Sequence, residues 1–367
     1  MSTELFDAVL LLSFGGPDGP EDVMPFLRNV TRGRDVSEER LAKVAEQYRV
    51  MGGASPINEQ NRALLAAIQG ELESRDLSLP LYWGNRNWHP LLDDTLRQMR
   101  ADGIRRAAVL VTSGYSSYSG CRQYRENLFD AVVAVESDEQ GLVPELEKMR
   151  LWFDMPGFID AMTDNAFEAI DSFASCENCR LVFTTHSIPL AQAERSGPPT
   201  DHNAYQAQHR FVAQTIAQRL SQRIGTDLAW DLVFQSRSGP PSTPWLEPDV
   251  SDHLESLAQV GCERVVLIPI GFASDHAEVV WDLDTVAMGK ARELGMACVR
   301  AATPGTDARF VSALVDTVVE RQRDVPMSQR AALSRWGPWP DACPAGCCLG
   351  SDPARPALCG QDNLVKR

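Results

Sequence analysis

The chain has 367 residues, 44% of them hydrophobic and 23% charged, which suits a soluble enzyme with room for two cores. Its formal net charge of −15, from 35 basic and 50 acidic residues, argues against nucleic-acid phosphates and anionic membrane surfaces as partners. The opening residues lack the basic stretch and apolar core of a secretion signal, and no apolar run approaches the roughly 18 residues of a spanning helix. A cytoplasmic protein without membrane insertion is therefore expected.

In chain order, Ala8 to Phe14 reads as a buried strand ending in Gly15-Gly16-Pro17. Helices are predicted at Ser37 to Tyr48 and Glu59 to Ser74, then a strand at Leu81 to Gly84. A helix at Leu92 to Ala101 leads to a strand at Ala107 to Thr112, followed by helices at Cys121 to Val135 and Gly157 to Ala174. The second half repeats the scheme. Strands fall at Leu181 to Thr185, Leu228 to Gln235, Arg264 to Ile270 and Cys298 to Ala301. Helices fall at Ala204 to Arg223, Val250 to Val260, Ala277 to Glu293 and Ala308 to Arg321. Near-continuous apolar strands separated by helices predict an α/β fold with parallel sheets covered on both faces.

Trp88 to Gly114 and Trp245 to Gly271 echo one another: a helix ending in Gly, an Arg, an apolar strand, then Gly and an aromatic residue. The echo points to two similar halves. Residues 1–150 are expected to form one Rossmann-like domain and 151–307 another, with the helix at 308–322 packing back on the first. From about Met327 the pattern fails, and 327–367 reads as a loop-rich, cysteine-rich tail that needs a staple.

His186 ends a buried strand inside Thr184-Thr185-His186-Ser187-Ile188-Pro189. Ligands of parallel sheets bind beyond the carboxyl ends of strands, and a neutral imidazole serves there as base or metal ligand. A histidine that only bonds a backbone carbonyl is the plainer alternative. Asp275, Glu278 and Asp282 recur at helical spacing just past another strand, so they are expected to share one face. Crowding and burial would raise the pKa of Glu278, which suits proton exchange or loose metal capture. A solvated acidic stripe is the alternative. Gly15-Gly16 lacks the full glycine fingerprint of a dinucleotide loop. Four of nine cysteines crowd the tail, at Cys343, Cys347, Cys348 and Cys359, and in a reducing compartment such clustering points to metal. Cys176-x-x-Cys179 is a lesser pair of the same kind.

Seven blocks together resemble the ferrochelatase family in its actinobacterial branch. They are Leu10 to Pro17, Tyr48 to Ile57, Gly84 to Pro90, Thr184 to Pro189, Gln235 to Pro241, Pro244 to Asp249 and Gly271 to Asp284. The resemblance runs from about Phe6 to Arg321. It implies two chelatase-type Rossmann-like domains with a porphyrin cleft between them, and insertion of Fe²⁺ into coproporphyrin III with loss of two protons. His186 and Glu278 match the family's catalytic pair and would hold the substrate iron, with Asp282 and Asp275 in delivery. Ser55 and Tyr124 match substrate-contacting positions. Arg32, Arg34 and Arg49 are offered for the carboxylate arms. Phe14, Met51, Trp88, Tyr115, Tyr118 and Trp281 are offered for the macrocycle's faces. Phe14 replaces a tyrosine of some relatives and brings no metal ligand.

The same resemblance implies a [2Fe–2S] cluster on Cys121, Cys343, Cys348 and Cys359, with Cys347 able to replace Cys348. Spare thiols or a zinc knot are the alternatives. A monomer is expected, and a downstream haem-synthesis enzyme would take the product. A chelatase for protoporphyrin IX or another tetrapyrrole is the second reading, and a non-catalytic porphyrin carrier the third.

Overall fold

The computed structural model describes residues 5–33, 35–138, 142–175, 178–240 and 242–361. Arg34 and Cys176 lie outside them.

The first half contains β1 (Ala8–Ser13), α1 (Pro20–Val30), α2 (Glu38–Val50), α3 (Ile57–Ser74), β2 (Leu81–Asn85), α4 (Leu92–Ala101), β3 (Arg106–Val111), α5 (Gln123–Asp138) and β4 (Glu145–Lys148). Its strands pair in the order β2-β1-β3-β4, all parallel. The second half runs α6 (Pro156–Asp171), β5 (Cys179–His186), α7 (Leu190–Glu194), α8 (Ala204–Ile224), β6 (Ala229–Gln235), α9 (Val250–Gln259) and β7 (Arg264–Ile268). It continues with α10 (Ala277–Val279), a π-helical stretch at Val280–Ala287, α11 (Met288–Glu293), β8 (Ala297–Arg300) and α12 (Ala308–Gln322). Its sheet is β6-β5-β7-β8, again all parallel. The two orders match strand for strand, and the sequence echo falls on equivalent units, α4–β3 and α9–β7.

Every residue of β1 is buried, because helices cover both faces of a parallel sheet and exclude water from each side of its central strands. Three elements escaped the sequence pattern. In β4 the sequence Glu-Leu-Glu-Lys is polar because the strand occupies a sheet edge. In α1 an internal Pro25 hides a helix opened by Pro20. The short α7 has only five residues. The single helix expected over Ala277 to Glu293 is interrupted by a π-helical stretch, a frequent feature of functional sites.

One continuous core runs from Phe6 through both sheets and into the tail at Trp339 and Cys343. Helix α12 packs against α3 and α6. Arg75, which caps the end of α3, donates to Asp316 at 2.6 Å and Ser312 Oγ at 2.6 Å. The tail is anchored by buried charges. Arg150 grips Glu320 through two bonds of 2.7 and 2.9 Å and donates to the Ala331 carbonyl at 2.9 Å. Ser334 donates to Asp154 at 2.6 Å, and burial pushes the Asp154 carboxyl up to about 6. Breaking such a pair from one side strands a buried charge, which costs about 3–5 kcal/mol.

Candidate active site

The carboxyl end of β5 places His186 opposite the segment that follows β7. Its Nε2 lies 3.5 Å from Glu278 Oε2. The His186 Nδ1 bonds the Ser187 carbonyl. A carbonyl only accepts, so Nδ1 carries a hydrogen and Nε2 faces Glu278. The side chains remain 32% and 54% exposed, so solvent reaches the pair. The surrounding walls oppose charge on either group, but each partner's charge prevails. His186 is held above its usual value, mainly by Glu278, and Glu278 is held down at about 2 by His186 and, beyond it, His276. The expectation that Glu278 is raised is thus corrected: the facing imidazole outweighs the burial.

Asp282 follows on the π-helical stretch and takes the Ser236 hydroxyl. Burial pushes its carboxyl up to about 6, against that hydrogen bond and with help from the Glu278 charge. Gln235 Nε2 donates to the Glu278 carbonyl at 3.4 Å. Gln235 and Ser236, at the end of β6, thus back the acidic segment. His276 caps α10, its Nδ1 accepting the Glu278 amide at 3.2 Å.

Asp275 does not join this ladder. The helix begins at Ala277, and Asp275 precedes the cap. Arg300 binds it through 2.8 and 3.1 Å contacts, and Thr303 donates to it at 3.1 Å. The shared-face expectation fails because the turn before the cap breaks the helical period.

From the first half, Ser55 is buried and its Oγ accepts the Ala277 amide at 3.2 Å. Tyr48, on α2, lies close enough to Glu278 for its charge to add to burial in pushing the phenol up. Phe14 is 37% exposed and meets Phe26 edge-on. Tyr124 is buried beneath Arg86, whose guanidinium stands 4.4 Å from the Tyr124 ring and 5.5 Å from Phe14. Arg86 also donates to Asn127 at 2.6 Å. Sequence reasoning quoted the Gly84 to Pro90 block yet passed over Arg86, because charge on a loop carries no periodic signal.

Arg32 is exposed just beyond α1, and Arg49 is paired with Glu46 at the surface. Met51 and Trp88 are half-buried against the α1–α2 cluster, and Trp281 is half-buried. Tyr115 is fully buried, and Tyr118 donates to Glu126 at 3.0 Å under the tail's Gly350. Tyr115 therefore forms no cleft wall.

The cysteine tail folds against α5 and β4. Cys121 and Cys343 sulfurs are 3.9 Å apart, and those of Cys347 and Cys348 3.7 Å. Cys348 Sγ accepts the Gly197 amide at 3.2 Å, and Cys359 Sγ the Lys148 amide at 3.3 Å. The contact with Cys343, then burial, pushes the Cys121 thiol up, and burial does so for Cys359. The buried Lys148 ammonium tempers both. Among the described residues, no group of three or more His, Cys, Asp or Glu side chains is arranged around a single metal-ion position. No described helix is long and apolar enough to cross a membrane.

Among solved structures, SirB from Bacillus subtilis with Fe³⁺ is 11% identical at TM-score 0.47, covering 89% of this chain and 99% of that one. A coproporphyrin III ferrochelatase of Streptomyces griseus is 50% identical across 98% of this chain and 97% of its own. One from Frankia alni is 52% identical over 94% and 86%. A ferrochelatase of Rhodopirellula baltica is 46% identical over 97% and 96%. The family model for ferrochelatase matches residues 6–322, nearly the whole chain ahead of the cysteine tail. The chain therefore belongs to the ferrochelatase family.

Proposed function

We propose that this ferrochelatase inserts Fe²⁺ into coproporphyrin III, giving Fe-coproporphyrin III for haem synthesis and releasing two protons. The observation that carries the reading is the 3.5 Å approach of His186 Nε2 to Glu278 Oε2 at the shared edge of the second sheet. The names borne by relatives at 46–52% identity support the choice of substrate.

A free porphyrin holds two N–H groups inward, so metal enters only as those protons leave and the ring bends. A site that favours the bent form stabilises the transition state. His186 is the proposed base for a pyrrole proton and a ligand for the entering iron, with Glu278 its partner. Asp282, whose carboxyl burial pushes up to about 6, passes protons toward solvent with Ser236 beside it. Ser55, Tyr124, Phe14, Arg32 and Arg49 are the proposed substrate contacts, and Arg86 joins them from its position beside Phe14. Fe²⁺ insertion into coproporphyrin III measured against protoporphyrin IX, without air, tests the function. A clear preference for protoporphyrin IX would overturn the substrate.

The domain division proposed is 1–150 and 151–307, with 308–322 returning to the first domain and 327–367 as the tail. In the tail we propose a [2Fe–2S] cluster on Cys121, Cys343, Cys348 and Cys359. Four thiolates suit such a cluster, and N–H donors to sulfur stabilise the thiolate form. Cys348 and Cys359 each receive a backbone N–H, and this favours them over Cys347. The group would supply an electron-transfer-competent or structural centre. The tail's own residues supply burial and the Lys148 counter-charge. The protein is proposed to act as a cytoplasmic monomer.

A further inference from the structure

Behind the end of β5 lies a buried polar hub built on the first turns of α8. The Tyr205 hydroxyl donates to the His186 carbonyl at 2.7 Å and lies 2.9 Å from Thr185 Oγ1. Thr185 Oγ1 is also 2.9 Å from His209 Nε2, and His209 Nδ1 is 2.7 Å from the Tyr205 carbonyl. That carbonyl can only accept, so Nδ1 carries the hydrogen and Nε2 takes the proton of Thr185. Burial holds the imidazole down at about 3, so it stays neutral. Thr185 Oγ1 can then only accept from Tyr205, and the shorter contact of the Tyr205 O–H, at 2.7 Å, is to the carbonyl of His186.

The same hub touches the other catalytic segment. Tyr115 lies flat on His209, with centroids 3.6 Å apart and planes at 13°, and donates to the Ile270 carbonyl at 2.8 Å. A Cβ on Gly271 would stand only 2.2 Å from Thr185 Oγ1, so the start of the loop leading to Glu278 rests directly on Thr185.

A third connection reaches the tail. Gly197 and Cys348 exchange two hydrogen bonds, amide to sulfur at 3.2 Å and amide to carbonyl at 3.1 Å. The neighbouring Ser196 Oγ accepts the Tyr205 amide at 2.9 Å. Cys348 and the His186 carbonyl are thus joined through Gly197, Ser196 and Tyr205, with the steps from Cys348 to Tyr205 buried and the last one partly buried.

We propose that Tyr205 is a positioning residue for His186, and that it passes the placement of Cys348 to His186 through Gly197 and Ser196. Because His186 is the last residue of β5, its carbonyl and side chain leave the sheet together. Catalytic geometry tolerates only about 0.5 Å of drift, and a misplacement of about 1 Å can cost on the order of a hundredfold in rate. The consequence for rate rests on His186 being the base of the proposed reaction.

The test uses the full chain as purified, with no added iron or porphyrin. His186–Ser187 is the only His–Ser step in the sequence, so carbonyl-13C histidine with nitrogen-15 serine isolates one peptide resonance. Tyr205→Phe is expected to move that resonance and to lower kcat about tenfold, with the porphyrin KM within about twofold. Cys348→Ala is expected to move the resonance in the parent and not in Tyr205→Phe. Ser196→Ala serves the same purpose if the cysteine variant does not fold. An unmoved resonance with unchanged kcat in Tyr205→Phe overturns the positioning role. Equal shifts for Cys348→Ala, or for Ser196→Ala in its place, in both backgrounds overturn the link to the tail. His186→Ala separates the two readings: retained insertion there removes the base assignment, whereas the resonance shifts still decide the clamp.

Discussion

The Ser55 hydroxyl accepts the amide N–H of Ala277 at 3.2 Å, so a residue of the first half steadies the turn that presents Glu278. The contact crosses between the halves at the point where α10 begins. It also gives Ser55 a role in holding the site together that is separate from touching substrate.

Ser55→Ala should lower stability by about 1 kcal/mol, the usual net worth of one buried hydrogen bond. It should also slow iron insertion, because the Glu278 turn loses its tether. Thermal unfolding and kcat, measured on the same preparation, check both. An unchanged kcat in a destabilised protein would leave the contact purely structural.

His186→Ala should abolish metallation while leaving porphyrin binding measurable by fluorescence titration. The base and iron ligand are lost, but the apolar walls that hold the macrocycle are not. Turnover equal to the parent would remove His186 from the reaction.

The pH dependence follows from the ion pair. Insertion needs neutral His186, and Glu278 holds the imidazole above the usual value of about 6.5. The rate should therefore rise with pH through a limb above that value. Glu278→Gln removes the charge that favours the imidazolium, so the limb should move to lower pH. A limb in the same place for both proteins would show that another group titrates. For stability the sign is opposite: the pair contributes below the unfolded histidine value, and the contribution fades as pH rises through the folded one.

Protein purified without air should be coloured and contain acid-labile sulfide and about two irons per chain. Replacing Cys121, Cys343, Cys348 or Cys359 with Ser should remove the colour, whereas Cys347→Ser should keep it. Colourless protein from the parent chain would sink the cluster.

Gly271→Ala should destabilise the protein by about 1–3 kcal/mol, since the new methyl meets Thr185 at 2.2 Å inside a packed region. Denaturant titration reads the loss. Thr185 is held on three sides, so the loop toward Glu278 is expected to shift and kcat to fall with it.

Much of the fold was legible because burial leaves a one-dimensional trace. Apolar runs such as Ala8 to Ser13 and Arg264 to Ile268 must be central strands, and the helices between them carry periodic apolar faces. The polar edge strand at Glu145–Lys148 leaves no such trace, since it pairs with one strand only and its outer edge meets the Cys359 thiol of the tail. Asp275 shows the opposite error: helical spacing in sequence is meaningless before the first helical residue. Glu278 was expected to be raised from its neighbours in sequence, but a neighbour in space, His186, reversed the direction.

By itself, the order of residues determined the alternation of strands and helices, the repeat of one half by the other, the positions of His186 and Glu278 just where a strand ends or a helix opens, and the crowding of thiols in the tail. Those are local properties, set by hydrophobic period and by the turns that follow each strand. Tertiary structure alone decided which charges meet, that Arg300 takes Asp275 out of the ladder, that Tyr115 is buried, and that Tyr205 reaches the carbonyl of His186. Electrostatic and hydrogen-bond energies depend on distance through space, and separation along the chain carries almost no information about it.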